Sequence, residues 1–266
     1  MKEFAGKTGQ TLFFVLAGVA RLWELGAAVV GYTLSSFFKR KVIPRETFFR
    51  QMVLMGIDST AIVSLVGGSV GTVLALQAAY SLKTFGAIMY TGSLVSVAMA
   101  RELGPLIASI VICGRIGARM AAEIGTMMVQ EEVDALTTMG INPIRYLVLP
   151  RCLALAIMLP CLTVIADLMG MLGGFAIGTT GLGINPYIYI AKSLDALVLK
   201  DVYTGLLKSF IFSILIALVS CHQGLSVSGG ADAVGKATTQ AVVISIVLII
   251  VVDCVATAVI YYALPT

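Results

Sequence analysis

The chain has 266 residues, of which 59% are hydrophobic and 12% are charged, and its formal net charge is +4. So few charged residues do not coat a soluble globular protein of this size, and the composition therefore predicts an integral membrane protein. The five cysteines lie singly in apolar sequence without metal-ligand spacing, which disfavours both a disulfide framework and a metal site.

Residues 1–45 predict an amphipathic helix that lies along the cytoplasmic face of the membrane. An apolar core at 11–20 is followed by Trp23 and later by the basic run Lys39-Arg40-Lys41. Aromatic and basic flanks are typical of an interfacial helix. A cleaved signal peptide is the alternative interpretation, because lysines precede the apolar core and small residues end it.

Five apolar stretches are each long enough, with their flanks, to cross a bilayer as a helix. The predicted spans are 55–82, 90–125, 146–178, 202–223 and 237–262. No internal repeat or soluble domain is visible, so residues 1–266 are treated as one domain. The predicted fold class is an all-α integral membrane protein with an N-terminal interfacial helix, five transmembrane helices and a short cytoplasmic helix between the second and third spans.

The positions of the basic residues predict the orientation in the membrane. Thirteen of the eighteen lysines and arginines lie in the first 50 residues, around the segment between the second and third spans, or at Lys236. Basic residues concentrate on the cytoplasmic side. The N-terminus is therefore predicted to be cytoplasmic and the C-terminus periplasmic, with Lys208 near the outer side. The net positive charge reflects this topology, and no nucleic-acid partner is expected.

Small residues recur at helical spacing on two spans. The first span carries Gly67 and Gly71, and the second carries Gly114, Gly117, Ala121 and Gly125 on one stripe. Such rows let helices approach closely, either within one chain or between two copies. Because membrane helices are rich in glycine generally, the pattern by itself is weak evidence of a dimer.

The charged pair Arg101-Glu102 lies inside an otherwise apolar span. Each charge costs about 2.5 to 3.5 kcal/mol at the centre of a membrane helix on insertion scales. At 100° per residue, a polar stripe opposite the small residues contains Arg101, Pro105, Ile112, Arg115, Arg119 and Glu123. A helix surrounded by lipid would carry neither a charged stripe nor a row of small residues. The polar stripe is therefore predicted to line an interior of the protein.

Residues 128–141 predict a short amphipathic helix between the second and third spans. Gly140 and the following Asn142-Pro143 are expected to end it. Acidic residues on its polar face would be repelled by anionic lipids, so docking to a cytosolic partner is favoured over resting on the membrane. The predicted docking residues are Glu131, Glu132, Val133, Asp134, Leu136, Met139 and Gly140.

Two motifs resemble catalytic signatures but lie in the wrong context. Residues 67–71 match the G-x-S-x-G nucleophile elbow, yet the match lies in an apolar span, and a hydrolase would have to pair Ser69 with His222 of another span. Residues 230–236 nearly match a P-loop, but Ala237 replaces the residue that would hold magnesium. The chain is therefore expected not to be an enzyme and to need a separate ATPase if nucleotide powers it.

Three aspartates in or near apolar sequence have two open interpretations. Intramembrane carboxylates mark ion or proton pathways, whereas carboxylates at helix ends serve as caps. Asp58 favours a cap, because Ser59 and Thr60 follow it at the start of the first span. Asp167 and Asp253 stay open between the two roles, and a proton-coupled secondary carrier that uses them is an alternative function.

A series of short motifs closely resembles the MlaE (YrbE) family of ABC-transporter permeases. The motifs are Arg101-Glu102-Leu103-Gly104-Pro105, Gly114-Arg115 with Gly117-Ala118, Ala122 to Met127, Glu132 to Leu136, Met139-Gly140 with Asn142-Pro143, and Pro150-Arg151. Several motifs in one order over fifty residues make the resemblance specific.

The resemblance implies a homodimer that works with a cytosolic ATPase, often a small STAS-domain protein, and an outer Mce-domain protein to move phospholipid between membranes. It implies that Arg101 and Glu102 lie at the lipid-binding cavity, with Leu74 and Phe85 as further wall positions, and that Glu131 to Gly140 couples to the ATPase. No cofactor is expected on this chain, since ATP and magnesium would bind the partner. Arg101 is expected to meet the lipid phosphate, with Glu102 paired to Arg101 or to its symmetry mate.

Overall fold

The computed structural model describes residue 20 and residues 24–29, 31–32 and 45–263. Every regular element within these ranges is helical, which confirms the all-α fold class. Most of the predicted interfacial helix at 1–45 lies outside the described residues. Its described parts at 24–29 and 31–32 are helical, and Val29 is buried in the main hydrophobic core.

Five described helical stretches are long and apolar enough to cross a membrane, as predicted. These spans are Phe48–Lys83, Ile88–Val129, Ile144–Thr180, Leu199–Leu225 and Ala231–Tyr262. All five begin earlier than predicted, because helical hydrogen bonding continues into polar flanks beyond the apolar run. The second span has 42 residues, so it is about 63 Å long and reaches well beyond the roughly 30 Å of hydrocarbon.

Short 3-10 and π-helical turns interrupt the first three spans. The first span contains helices Arg45–Met55 and Thr60–Lys83 around a 3-10 turn at Ile57–Ser59. The second contains a 3-10 turn at Ile88–Tyr90, helices Thr91–Ala98, Gly104–Ile112 and Ala118–Val129, and π-helical turns at Met99–Leu103 and Cys113–Gly117. The third begins with the π-helical turn Ile144–Val148 before Leu149–Thr180, while helices Leu199–Leu225 and Ala231–Ala263 form the fourth and fifth.

The prediction that the polar residues of the second span share one face is wrong, because two π-helical turns interrupt the helix. Each π-helical turn accommodates an extra residue, which rotates all later side chains about the helix axis relative to a pure α-helix. Pro105 and Ile112 are buried, whereas Arg115 and Arg119 are exposed. The polar residues therefore divide into two groups, one around Arg101 and the other at the far end of the span.

The first and third spans form the most extensive helix contact through small residues. A Cβ atom added at Gly67 would lie 2.8 Å from the carbonyl oxygen of Ala166, and one added at Gly71 would overlap the carbonyl of Gly170. The two backbones are therefore as close as glycine allows, which is the close approach that such rows permit.

The small stripe of the second span faces the fourth span and the start of the fifth over most of its length. A Cβ atom at Gly117 would lie 3.0 Å from the Ser220 hydroxyl, and one at Gly125 would lie 3.0 Å from Val227. Ala121 is fully buried. Gly114 departs from the predicted stripe, because it is exposed and a Cβ there would meet no atom within 4 Å. Gly114 lies inside a π-helical turn, which rotates it away from the packed face.

Two short helices connect the spans. Glu132–Thr138, here called the coupling helix after the role predicted for it, follows a turn in which Glu131 has a left-handed backbone with φ 58°. Gly140, with φ 75°, ends this helix as predicted, and the Asn142 side chain accepts a hydrogen bond from the Ile144 N–H to begin the third span.

Helix Pro186–Ala196 lies between the third and fourth spans and packs against the second. The side chain of Asn185 caps it by accepting from the Tyr187 N–H. The Tyr189 ring lies against Gly174 and Gly178, and burial raises the pKa of its phenol to about 12.

The predicted cap at Asp58 is not observed. Ser59 precedes helix Thr60–Lys83 without a capping side-chain hydrogen bond. Instead, the carbonyl oxygen of Asp58 accepts a hydrogen bond from the Arg115 guanidinium. This contact ties the start of the first span to the second.

Candidate functional site

Arg101 lies in the π-helical turn of the second span and pairs with Asp201 near the start of the fourth. Its Nη2 atom lies 2.6 Å from Asp201 Oδ1, and its Nε–H donates to the same oxygen at 2.9 Å. The Asp201 side chain is only 5% exposed, whereas the Arg101 side chain is 45% exposed. One edge of the guanidinium is thus held inside the protein and the other remains open.

Glu102 pairs with Lys208 of the fourth span, whose side chain is only 1% exposed. Lys208 Nζ donates to Glu102 Oε2 at 2.5 Å and to the Thr257 hydroxyl at 2.7 Å, and the Thr257 hydroxyl donates to Glu102 Oε1 at 3.0 Å. Asp253 Oδ1 of the fifth span lies 3.0 Å from Lys208 Nζ. That contact lacks hydrogen-bond angles, so it is an ion pair only.

These contacts form a five-charge group, here called the ionic cluster, which joins the second, fourth and fifth spans. Its members are Arg101, Glu102, Asp201, Lys208 and Asp253. The expected pairing of Glu102 with Arg101 within this chain is wrong. Adjacent helical residues point in different directions, and each charge meets its own partner on the fourth span. The Lys208 side chain is enclosed between spans, and its place near the outer side stays a prediction.

The sequence of the fourth span contains a signal for the partners of Arg101 and Glu102. Asp201 and Lys208 are seven residues apart on the fourth span, which places a carboxylate and an ammonium on one helical face. That face complements an Arg-Glu pair on a neighbouring helix. Unpaired charges are costly inside a membrane protein, so opposite charges on apolar helices are candidates for pairing.

Of the two predicted wall residues, Leu74 is partly buried and Phe85 is exposed. Leu74 packs against the buried group formed by Ala75, Val95 and Met99, and Met99 begins the π-helical turn that contains Arg101 and Glu102. Phe85 lies instead in the turn after the first span, and it is 82% exposed.

Asp167 is a second buried acid, away from the five ion-paired charges. It lies within helix Leu149–Thr180, as Asp253 lies within the fifth span, so neither residue is a helix cap. A Cβ atom at Gly104 would overlap the Asp167 carboxylate. Asp167 Oδ1 is buried without a hydrogen-bond partner among the described residues. Of the two interpretations of Asp167, the helix cap is therefore excluded, and a role within the membrane span remains.

The far end of the second span carries another ion-paired group. Arg119 Nε donates to Glu123 Oε1 at 2.7 Å, and Arg151 Nη2 donates to Glu123 Oε2 at 3.2 Å. Arg151 also donates to the carbonyl oxygen of Leu147 at 3.1 Å. The second half of the predicted polar stripe thus joins the second span to the third instead of lining the same interior as Arg101.

The coupling helix presents its residues in two directions. Val133 is 6% exposed and faces the rest of the chain, whereas Met139 is 73% exposed. Glu131, Glu132 and Asp134 are exposed, and Leu136 is half-buried. The surface available to a partner is therefore acidic with Met139 at its end, while Val133 holds the helix in place.

The two motifs that resemble catalytic signatures lack the structural context of those signatures. Residues 67–71 lie within the continuous helix Thr60–Lys83, where Ser69 donates to the Leu65 carbonyl oxygen at 2.8 Å. A nucleophile elbow needs a strand, a sharp turn and a helix. The P-loop-like run starts helix Ala231–Ala263, and a turn and coil precede it where a P-loop has a strand.

The spans, their close glycine contacts and the charges enclosed between them define a multi-pass α-helical membrane protein. The family model described as Permease MlaE matches residues 48–259. The chain belongs to this family, as its motifs indicated.

Curated relatives cover most of the chain. A probable ABC transporter permease protein of Rickettsia typhi is 41% identical over 202 residues, which are 76% of this chain and 78% of the relative. A protein of the same description from Synechocystis is 41% identical over 209 residues, 79% of this chain and 80% of the relative. The Arabidopsis thaliana chloroplast protein TRIGALACTOSYLDIACYLGLYCEROL 1 is 34% identical over 225 residues, 85% of this chain and 64% of the relative.

Proposed function

We propose that the chain is the permease subunit of an ABC transporter that moves phospholipid or related lipids between the inner and outer membranes. The observation that carries this proposal is the half-exposed Arg101 guanidinium inside an apolar span, which offers an anionic headgroup a charge-assisted contact. The relatives described as ABC transporter permeases and the lipid in the name of the Arabidopsis relative support the class of transporter and of cargo.

The proposed complex contains two copies of this chain, a cytosolic ATPase that binds ATP and magnesium, an outer Mce-domain protein and, in some systems, a STAS-domain protein. A second copy or lipid would cover the fifth span, which exposes Val247, Val251 and Val255. The chain would lie in the inner membrane with a cytoplasmic N-terminus and a periplasmic C-terminus, in agreement with its basic residues.

Transport in this proposal needs no chemistry on the lipid. The lipid phosphate contacts the open edge of Arg101, while the apolar walls, including Leu74, contact the acyl chains. The ATPase pushes on the coupling helix, which is continuous through short turns with the second and third spans. Tight packing of the first span on the third makes the response a movement between two discrete arrangements.

The headgroup contact is tested by removing Arg101 together with its partner. The double variant Arg101→Gln/Asp201→Asn removes both charges of the pair, so neither is left buried without its partner and the fold is expected to persist. Lipid copurifying with the complex, counted by native mass spectrometry, should fall roughly tenfold, as expected for losing a charged hydrogen bond. Arg50→Gln, at an exposed position of the first span, is the matched control. Wild-type lipid content in the double variant would contradict the headgroup role.

The coupling helix is tested by a charge at its exposed end. Met139→Asp should abolish copurification with the ATPase, because it replaces the exposed apolar side chain of the docking surface with a charge that a partner pocket for methionine would have to desolvate, and it does not disturb the buried Val133. Thr239→Asp, at an exposed position of the fifth span, should leave binding intact. An ATPase that binds the Met139 variant as well as the wild type would place the coupling surface elsewhere.

A proton-coupled secondary carrier is the second candidate function, and the buried carboxylate of Asp167 favours it. The lone chain in liposomes would then transport lipid under a pH gradient, and Asp167→Asn would stop it. ATP-dependent transport that needs the partner ATPase distinguishes the proposed transporter from this carrier.

A further inference from the structure

Asp167 of the third span lies against the π-helical turn Met99–Leu103, which carries the charged pair of the second span. A Cβ atom added at Gly104, the residue directly after this turn, would overlap the Asp167 carboxylate and would lie 3.0 Å from the carbonyl oxygen of Met99. The carboxylate and this carbonyl oxygen therefore border the same small space beside Gly104.

The second and third spans stay in contact over the neighbouring turns. A Cβ atom added at Gly170 would lie 3.0 Å from the Met99 sulfur, and one added at Gly174 would lie 2.8 Å from Val95 Cγ1. Because Asp167, Gly170 and Gly174 are three and four residues apart, they share one face of the third span. This face packs on the first half of the second span, and Asp167 supplies its polar side chain.

The surroundings of the Asp167 carboxylate suit a neutral acid. Its Oδ1 atom is buried and has no hydrogen-bond partner among the described residues. The adjacent Met99 carbonyl oxygen is an acceptor, which receives the Gly104 N–H and has a second lone pair. A buried carboxylate without a compensating charge is costly, and such a group takes up a proton instead. The protonated carboxyl is a donor, which the Met99 oxygen can accept.

The charged groups on neighbouring elements do not neutralise Asp167. The first span has no charged side chain between residues 59 and 82, and the third has no other between 152 and 180. The charges of the second, fourth and fifth spans in the ionic cluster pair with one another. Helix Pro186–Ala196 adds four titratable side chains, none of which pairs with Asp167 in the part of the chain that the structure describes: Tyr187, Tyr189, Lys192 and Asp195.

The contact at Asp167 lies between two groups of spans that are each held together firmly. The first and third spans pack backbone to backbone at Gly71 and Gly170, whereas the ionic cluster joins the second, fourth and fifth. A hydrogen bond from Asp167 to the π-helical turn therefore connects one group to the other.

We propose that Asp167 is a proton-binding site that controls how firmly this π-helical turn is held. With the proton bound, the carboxyl donates a hydrogen bond to the Met99 carbonyl oxygen and fixes the turn on the third span. When the proton passes to water, two oxygen atoms with negative charge face each other, and the turn is released. The site works whatever the cargo is and, unlike a proton-coupled carrier, needs no proton flow across the membrane.

Infrared spectroscopy of the purified full-length protein at neutral pH tests the protonation. The spectrum of the wild type minus that of Asp167→Asn should contain the carbonyl stretch of one protonated carboxyl. The control Asp195→Asn, which changes an exposed carboxylate, should give only carboxylate bands. Carboxylate bands alone for Asp167 would overturn the proposal.

Two substitutions test the hydrogen bond to the turn. Asp167→Asn keeps an N–H donor on a side chain of the same shape, whereas Asp167→Leu keeps the size and removes the donor. Amide hydrogen exchange of residues 99–104, measured by mass spectrometry, should match the wild type in Asp167→Asn. It should be roughly fivefold faster in Asp167→Leu, as expected for losing one neutral hydrogen bond. Equal exchange in the two variants would contradict the contact with Met99.

Alkaline pH tests the release of the turn. Because intrinsic amide exchange is the same for both proteins at any one pH, the ratio of wild-type to Asp167→Asn exchange at residues 99–104 isolates the effect of the carboxyl. This ratio should be close to one at neutral pH and rise roughly fivefold at alkaline pH, as the carboxyl gives up its proton. A ratio that stays close to one at alkaline pH would show that protonation does not control the turn.

Discussion

Replacing Lys208 with methionine is expected to destabilise the protein by about 3 to 5 kcal/mol, the usual cost of removing one partner from a buried ion pair. Among the described residues, Lys208 is the only ion-pair partner of Glu102 and Asp253, so both carboxylates would lose their compensating charge. The melting temperature of the purified protein should fall by on the order of 10 °C.

Compensating substitutions test whether the charge, and not the packing of the lysine stem, causes this loss. The triple variant Lys208→Met/Glu102→Gln/Asp253→Asn removes the unpaired charges and should recover most of the stability, because an apolar side chain replaces a buried ion pair at little cost. Lys236→Met, at an exposed position, should melt like the wild type. A Lys208→Met protein that also melts like the wild type would show that the ionic cluster does not stabilise the fold.

The second large effect is expected for Gly71→Val. Any side chain at this position overlaps the carbonyl group of Gly170, which is backbone and cannot move aside without separating the first and third spans. The loss of folding stability should exceed the value typical of an overpacked core, which is about 1 to 3 kcal/mol. Most of the variant should therefore elute as aggregate in fluorescence-detected size-exclusion chromatography.

Gly235→Val is the matched control for this substitution. Gly235 lies in the helix of the fifth span, and a Cβ atom there would meet no atom within 4 Å. Because valine is also slightly better than glycine in a helix, the control should elute and melt like the wild type. Equal elution of the two variants would contradict the close packing of the first and third spans.

The two effects concern different parts of the proposed transport cycle. The glycine contact keeps the first and third spans together as one unit, whereas the ionic cluster joins the second span to the fourth and fifth. A movement of these units relative to each other would change access to Arg101 while each unit keeps its internal packing. Measuring lipid access in the stable triple variant would separate the structural role of Lys208 from its role in transport.

The membrane class, the number of spans and the family follow from the sequence by itself. Each segment partitions between water and lipid according to its own side chains, so a long apolar run crosses the bilayer whatever its neighbours are. Local backbone chemistry likewise ends the coupling helix at Gly140, and Asn142 begins the next span. The charged pair Arg101-Glu102 stands out because the apolar surroundings make each charge costly.

The sequence offers Asp201 and Lys208 as candidate partners, but which of them meets which member of the pair was decided only by the tertiary structure. Which side chain meets Arg101 or Glu102 depends on the rotation of each helix about its own axis, and the π-helical turns of the second span change that rotation. Periodicity at a constant 100° therefore predicted one polar face where the structure has two groups.

The same physical reason explains the other departures. Gly114 leaves the packed stripe within a π-helical turn, and of the predicted docking residues Val133 is buried whereas Met139 is exposed. Lys208 becomes an interior residue because two carboxylates on other spans surround it. Contacts between helices far apart in the sequence depend on packing that no local pattern contains, whereas the placement of each helix in the membrane depends on its own residues.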